Sequence, residues 1–210
     1  MNPGKLDLLA AWLPDQPWYL GARRRPELTR AGGFRLDDPA GEVGIEFMVV
    51  ADGAAGDAVC YQVPMTYRGH PLEGAGGGLI GTSEHGVLGT RWIYDGVHDP
   101  VLVAQLVACI QGDVQPQAQS VSDTPDLTVT AHPVPGGSRT VTGSVMAANG
   151  PAGIDLRVAT SGEPGQLVLR LNRILLPDGT RPGEPGRPCL SASWRHPDGS
   201  RPRGVFVTAL

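Results

Sequence analysis

Lysine is almost missing from this chain: of 17 basic residues, Lys5 is the only lysine. A Walker phosphate loop needs a lysine directly after its glycines, so that loop is excluded. The three cysteines, Cys60, Cys109 and Cys189, lie far apart and form no C-x-x-C pair. This excludes a zinc ribbon and a thioredoxin-like motif, and reads as structural thiols in a reducing compartment. No apolar run approaches the roughly 18 residues of a membrane span. The N-terminus lacks the charged region, long apolar stretch and cleavage site of a secretory signal, so a cytoplasmic location is expected. Apart from residues 23–25 there is no basic block, and the formal charge is −4. Neither nucleic acid nor an anionic membrane is an expected partner.

Glycine and proline are abundant, with 30 and 20 of 210 residues. Each interior proline costs a helix roughly 3 kcal/mol, which disfavours a helical bundle and favours short strands with many turns. Hydrophobic residues make up 40% of the chain, enough for a core. The arginine excess, beside much alanine, glycine and proline, reads as coding bias and is not by itself a binding signal.

Residues 6–13 read as a short amphipathic helix with Leu6, Leu9 and Leu13 on one face, stopped by Pro14. Residues 28–36, 43–50 and 58–65 read as antiparallel strands, the first interrupted by Gly32-Gly33, and residues 69–81 as a glycine-rich loop. Residues 90–94 are extended. The clearest helix follows: Asp99 caps it, Pro100 suits its first position, Gly112 closes it, and Leu102, Leu106 and Ile110 form its buried face. Residues 113–125 read as a polar linker. Beyond it, strands are expected near residues 127–131, 139–146, 154–158, 166–174, 190–194 and 204–208, with turns at Pro135-Gly136-Gly137, Pro177-Asp178-Gly179 and Pro197-Asp198-Gly199.

Catalytic patterns are weak. Gly76-Gly77-Gly78-Leu79-Ile80-Gly81 spells G-x-G-x-x-G, but lacks the strand before and helix after that a dinucleotide loop requires. The five histidines show no metal-ligand spacing, so no metal site is expected. Ser83-Glu84-His85 contains nucleophile, acid and base types, yet a triad is assembled from separated positions rather than chain neighbours.

The most informative string is Trp12-Leu13-Pro14-Asp15-Gln16-Pro17-Trp18-Tyr19-Leu20-Gly21, of the form W-L-P-x-Q-x-W-Y-x-G-x-x-R, either with one residue fewer before the Arg, at Arg23, or with Arg24 as its last member. It resembles the entry of the N-terminal cap domain of bacterial maltokinases and related aminosugar kinases. Leu88-Gly89-Thr90-Arg91-Trp92-Ile93-Tyr94-Asp95 leading into a helix also resembles that family. The resemblance covers about residues 5–112. It implies a cystatin-like cap, a helix against an antiparallel sheet, and a link to glycogen, trehalose and maltose-1-phosphate metabolism. Residues 166–173 resemble the kinase strand carrying the ATP-phosphate lysine, with Arg170 or Arg173 in its place. Arginine does not simply replace that lysine. The one His-x-Asp, His196-Pro197-Asp198, lies in a turn and has no following Asn, and the chain stops before a helical kinase lobe.

The expectations are therefore an α+β fold: a cap-like domain over residues 1–112, a linker over 113–125 and a β-rich domain over 126–210. The expected function is a stand-alone, non-catalytic interaction or regulatory module of α-glucan, trehalose or maltose-1-phosphate metabolism, without cofactor. Its partner would be a carbohydrate-active enzyme or kinase, and exposed β edges are compatible with a homodimer. The alternative is a saccharide or sugar-phosphate binder, and the remote one a glucan-active enzyme or kinase remnant. Trp18, Tyr19, Arg23, Arg24, Trp92, Tyr94 and Asp95 are the candidate ligand or partner surface.

Overall fold

The computed structural model describes residues 1–21, 25–121, 123–133, 138–150, 153–162, 165–180 and 187–210. Its elements in chain order begin with α1 (Lys5–Trp12), β1 (Leu28–Leu36), β2 (Gly44–Asp52), β3 (Val59–Arg68), β4 (Leu79–His85), β5 (Gly89–Asp95) and α2 (Pro100–Gln111). They continue with β6 (Gln117–Ala118), β7 (Thr130–His132), β8 (Val141–Gly150), β9 (Gly153–Thr160), β10 (Gln166–Asn172), β11 (Cys189–Ser193) and β12 (Arg203–Ala209). Helices and antiparallel sheets in one chain make the fold α+β, as the residue pattern indicates. The described residues form two antiparallel six-stranded sheets, ordered β4-β5-β3-β2-β1-β6 and β7-β11-β12-β10-β9-β8.

The first sheet is covered on both faces, and β2 shows why. Its odd positions, Ile45, Phe47, Val49 and Ala51, point into a cluster that contains Leu102, Leu106 and Ile110 of α2, Leu169 and Phe206 of the second sheet, and Trp194 just after β11. Its even positions Met48 and Val50 join Leu9 and Leu13 at the α1 side, with Trp18, Tyr61 and Val63. A strand buried on both faces loses the usual apolar–polar alternation, and every β2 residue from Ile45 to Asp52 is buried. Phe34 and Phe47 stack with centroids 4.7 Å apart, linking β1 to β2 within the larger cluster.

α2 lies between the two sheets, which accounts for its unusually apolar surface: Leu102, Val103, Leu106, Val107, Cys109 and Ile110 are all buried. Asp99 caps it by accepting the Val101 N–H at 3.0 Å. The same carboxylate receives a two-pronged grip from Arg68, at 2.7 and 2.8 Å, fastening the helix entry to β3. At the other end Gly112 adopts φ 85°, where a side chain is disfavoured. The Asp113 N–H then reaches the Ala108 carbonyl at 2.9 Å and closes the helix.

Two parts of the first sheet depart from the residue pattern. The glycine-rich loop ends earlier than expected: only a short 3-10 turn, Gly76–Gly78, precedes β4, so Leu79-Ile80-Gly81 already belongs to a strand. β4 is poor in β-branched residues, and it is held by pairing with β5 rather than by intrinsic preference. In β1 the pairing with β2 slips between Arg30 and Gly32, leaving Ala31 at a bulge. The freed Ala31 carbonyl accepts the Arg195 N–H at 2.7 Å, so the bulge serves as a stitch to the segment between β11 and β12. The polar stretch 113–125 contributes β6, which pairs with the end of β1.

A second stitch runs along β3. β5 pairs only with Met65–Arg68, leaving the first half of β3 unpaired on that side. The segment after β10 fills this gap. The Gln62 N–H donates to the Arg173 carbonyl at 2.8 Å, and the Leu175 N–H donates to the Cys60 carbonyl at 2.9 Å. The buried Gln62 side chain adds bonds to the Asn172 carbonyl at 3.0 Å and the Phe206 carbonyl at 3.2 Å. Among the described residues no helix is long and apolar enough to cross a membrane.

Candidate functional site

Two of the sequence motifs meet at one point, and the residue that joins them comes from the second half of the chain. Pro14 sits in a 3-10 turn after α1 (Leu13–Asp15), and the chain then swings Trp18 inward. Trp18 is 2% exposed. Its ring lies 5.8 Å from Trp12 and 5.9 Å from Tyr61, both tilted. The Arg173 guanidinium rests over the Trp18 ring at 4.9 Å. On its other side Arg173 donates through Nη2 to Oδ2 of Asp95, the last residue of β5. Arg173 has no solvent exposure.

A charge in such a place is expensive to bury unless it is matched. Here the match is a carboxylate plus the negative face of an indole, each an attraction that strengthens as water is excluded. Arg173 is thus clamped between Trp18 of the first motif and Asp95 of the second. Removing any one member would leave a buried group without its counterpart.

The remaining candidates divide by burial. Tyr19 is half-buried. Its hydroxyl donates to Asp52 Oδ2 at 2.6 Å, and its ring lies 5.4 Å from Tyr61. Asp52 also accepts the Glu27 N–H at 2.8 Å, so Tyr19 closes a small network at the end of β2. The Tyr61 hydroxyl accepts the Leu20 N–H at 3.0 Å, and burial pushes its pKa above the ordinary tyrosine value. Tyr94 is interior and accepts the Leu72 N–H at 2.9 Å, anchoring the glycine-rich loop. Trp92 is half-buried, paired between Arg68 and Thr82, and does not join the Trp18 cluster. Arg23 and Arg24 lie outside the described residues.

The other chemical patterns have plain structural roles. On β4 the Ser83 hydroxyl donates inward to the Pro3 carbonyl at 2.7 Å, while the exposed Glu84 accepts from Thr90 at 2.6 Å. The His85 ring nitrogen Nδ1 accepts turn amides from Val87 and Leu88, so the three neighbours face separate tasks. His196 and Asp198 sit in the expected turn, closed by the Gly199 N–H to the His196 carbonyl at 2.9 Å. Arg170 is exposed and forms a two-pronged pair with Asp155 at 2.7 and 2.8 Å. That pairing holds the Asp155 carboxyl below its usual pKa. Among the described residues no group of three His, Cys, Asp or Glu side chains is placed to hold a metal ion.

Arg173 was legible in principle. Leu167, Leu169 and Leu171 share one face of β10, and Arg173 continues that parity. A charged residue in register with an apolar face calls for a buried partner.

Comparison with known protein families gives one finding: the model of the maltokinase N-terminal cap domain matches residues 12–99. The match runs from Trp12, the first residue of one motif, to Asp99, the cap of α2. No curated protein matches the chain.

Proposed function

Taking residues 12–99 as a maltokinase N-terminal cap domain, we propose that this chain is a non-catalytic interaction module of α-glucan, trehalose or maltose-1-phosphate metabolism. Its partner is a carbohydrate-active enzyme or a kinase of that metabolism. The observation that carries this reading is the Trp18–Arg173–Asp95 clamp. Trp18 and Asp95, one from each motif, are engaged in fastening the first sheet to the segment after β10 through Arg173, rather than being arranged around an open reaction centre. Cap and β-rich half also share a continuous apolar cluster, from Phe34 and Leu106 to Leu169 and Phe206. Such a pre-organised body offers a partner a fixed face, with little ordering to be done on binding.

The test is capture with a tagged full chain from extract of its own cells, followed by identification of the retained proteins. The retained candidate is then purified and mixed with the chain for size-exclusion chromatography. An enzyme acting on α-glucan, trehalose or maltose phosphate that co-elutes at a fixed ratio supports the proposal. Retention of no carbohydrate enzyme above an untagged control contradicts it. So does phosphoryl transfer from ATP–Mg²⁺ to maltose by the purified chain alone.

A further inference from the structure

The bulge in β1 brings arginines from the two halves of the chain to one place. The bond from the Arg195 N–H to the Ala31 carbonyl lays the hairpin between β11 and β12 against the edge of β1. Between them, beside Gln119 and Ser120, opens a cleft of about 420 Å³ lined by Arg30, Arg195 and Arg201. That size falls within the range of binding sites. Backbone pairing sets two of these arginines side by side. Ser193 pairs with Arg203, the Trp194 N–H donates to the Pro202 carbonyl at 3.1 Å, and the His196 N–H donates to the Ser200 carbonyl at 3.0 Å. Arg195 therefore lies directly opposite Arg201. Its own N–H turns outward to Ala31, so the two form a non-hydrogen-bonded pair, in which Cα atoms are about 4.5 Å apart and side chains are closest. Trp194 points into the core and neighbours along a strand alternate, so both guanidinium groups leave by the outer face, where both residues are exposed.

Like charges directly opposite each other on a sheet are destabilising, so this pair calls for a counter-charge. Among the described residues neither Arg195 nor Arg201 has a side-chain hydrogen bond or ion pair. Their neighbours bring more positive charge and neutral acceptors. Arg30 donates from Nε to Gln119 Oε1 and from Nη2 to Ser120 Oγ, both at 3.1 Å. Arg203, two residues on from Arg201, donates from Nη1 to the Thr128 carbonyl at 2.6 Å and from Nη2 to the Thr130 hydroxyl. The one carboxylate in the described lining is Asp126, and its Oδ1 already accepts the Thr128 amide and hydroxyl at 2.9 and 2.6 Å. Four arginines thus gather beside one carboxylate, on a chain whose formal charge is −4.

These groups set the chemistry of the occupant. Each unpaired guanidinium presents a fork that fits one carboxylate through two charge-assisted hydrogen bonds. Two forks side by side fit two carboxylates carried on one segment. The aromatic ring in the described lining, Trp194, is 3% exposed, so it offers no platform for stacking a nucleic-acid base. We propose that this cleft docks an acidic peptide segment of the partner protein. Arg195 and Arg201 each grip one carboxylate, and Arg30 adds positive charge from the β1 side. Such docking rests on the interaction role proposed above and names the chemistry of its contact.

The experiment is fluorescence anisotropy of labelled hexaglutamate titrated with the full chain, with hexaglutamine, hexauridylate and inorganic phosphate alongside. Hexaglutamate should bind, more weakly as salt rises, and hexaglutamine should not. Arg195→Gln combined with Arg201→Gln should weaken hexaglutamate binding by at least about threefold. A smaller effect overturns the proposal, as does no binding at sub-millimolar chain. Tighter binding of hexauridylate, or displacement of the peptide by an equal concentration of inorganic phosphate, assigns the cleft to phosphate and also overturns it. Arg201→Gln alone should keep or raise the melting temperature, because it relieves the opposed charges; a fall makes Arg201 structural and overturns the docking role. Capture from extract with the double variant separates the two proposals. Loss of a carbohydrate enzyme that the parent chain retains places that enzyme on this cleft. Undiminished retention overturns the cleft and leaves the interaction role standing. No such enzyme on the parent chain, with hexaglutamate still bound through the two arginines, counts against the interaction role and not against the cleft.

Discussion

Substituting Arg173 by methionine tests the clamp most sharply. Methionine keeps much of the length and apolar bulk that lie over Trp18, but it deletes the charge facing Asp95. Asp95 is 3% exposed and Arg173 is fully buried, so solvent cannot replace the lost partner. Removing one member of a buried ion pair costs about 3–5 kcal/mol, mainly through the charge left behind. The lost cation–π contact adds up to roughly 2 kcal/mol. A whole domain is commonly stable by about 5–15 kcal/mol, so Arg173→Met alone should bring the chain close to unfolding near room temperature. The control is Asp95→Asn combined with Arg173→Met. It leaves no buried charge, and should return to within about 2 kcal/mol of the parent. The assay is urea unfolding followed by tryptophan fluorescence and far-ultraviolet circular dichroism. A single-variant loss below about 1 kcal/mol, or a double variant whose loss equals the sum of the singles, would refute the clamp.

Other consequences follow from individual residues. Asp99→Ala removes the α2 cap and leaves the Arg68 fork without an acceptor; a loss of roughly 2–4 kcal/mol is expected in urea unfolding, while Asp99→Asn, which keeps a capping oxygen, should lose less. Gly33→Ala forces a side chain onto a residue at φ 128°, with its Cβ 2.0 Å from the Phe47 carbonyl oxygen. That variant should lose more than about 3 kcal/mol or fail to accumulate in folded form, as expression and a melting curve will show. Burial pushes the Cys60 thiol up to about 11 and the Cys109 thiol up to about 12, so both stay protonated at neutral pH. A chromogenic disulfide should therefore react quickly with Cys189 alone in the native protein, and with all three thiols only in denaturant.

What the sequence made legible is what local chemistry decides. Asp99-Pro100 and Gly112 mark the ends of α2 because capping and left-handed closure depend on those residues alone. β9, β10, β11 and β12 are legible as apolar runs, with Pro-Asp-Gly turns on either side of β11, whereas β7 starts at Thr130 rather than Leu127 and the expected Pro135-Gly136-Gly137 turn lies outside the described residues. β4 was not legible, since Gly81 and the glycines just before the strand suggest a loop and only pairing with β5 makes it a strand. The double-sided burial of β2 was hidden for the same reason: it depends on α1 lying on one side and α2 with the second sheet on the other. The motif residues Trp18 and Asp95 stood out in sequence, but not their meeting, because Arg173 lies 78 positions beyond Asp95. The arginine cleft was invisible for a related reason. Arg30 comes from β1, Arg195 and Arg201 come from the hairpin after β11, and the bond between Ala31 and Arg195 brings them together.

The first sheet and the second half of the chain form a single structural body, tied along β3 and through Arg173 between Trp18 and Asp95. Native-state hydrogen exchange on the full chain measures this directly. The Gln62 and Leu175 amides, which bridge the two halves, should exchange only through global opening, with the same free energy and urea dependence as amides in β2 and β10. Exchange of the bridge amides or of the whole second sheet at a distinctly lower free energy, with β2 still protected, would show two independently opening units and contradict the account.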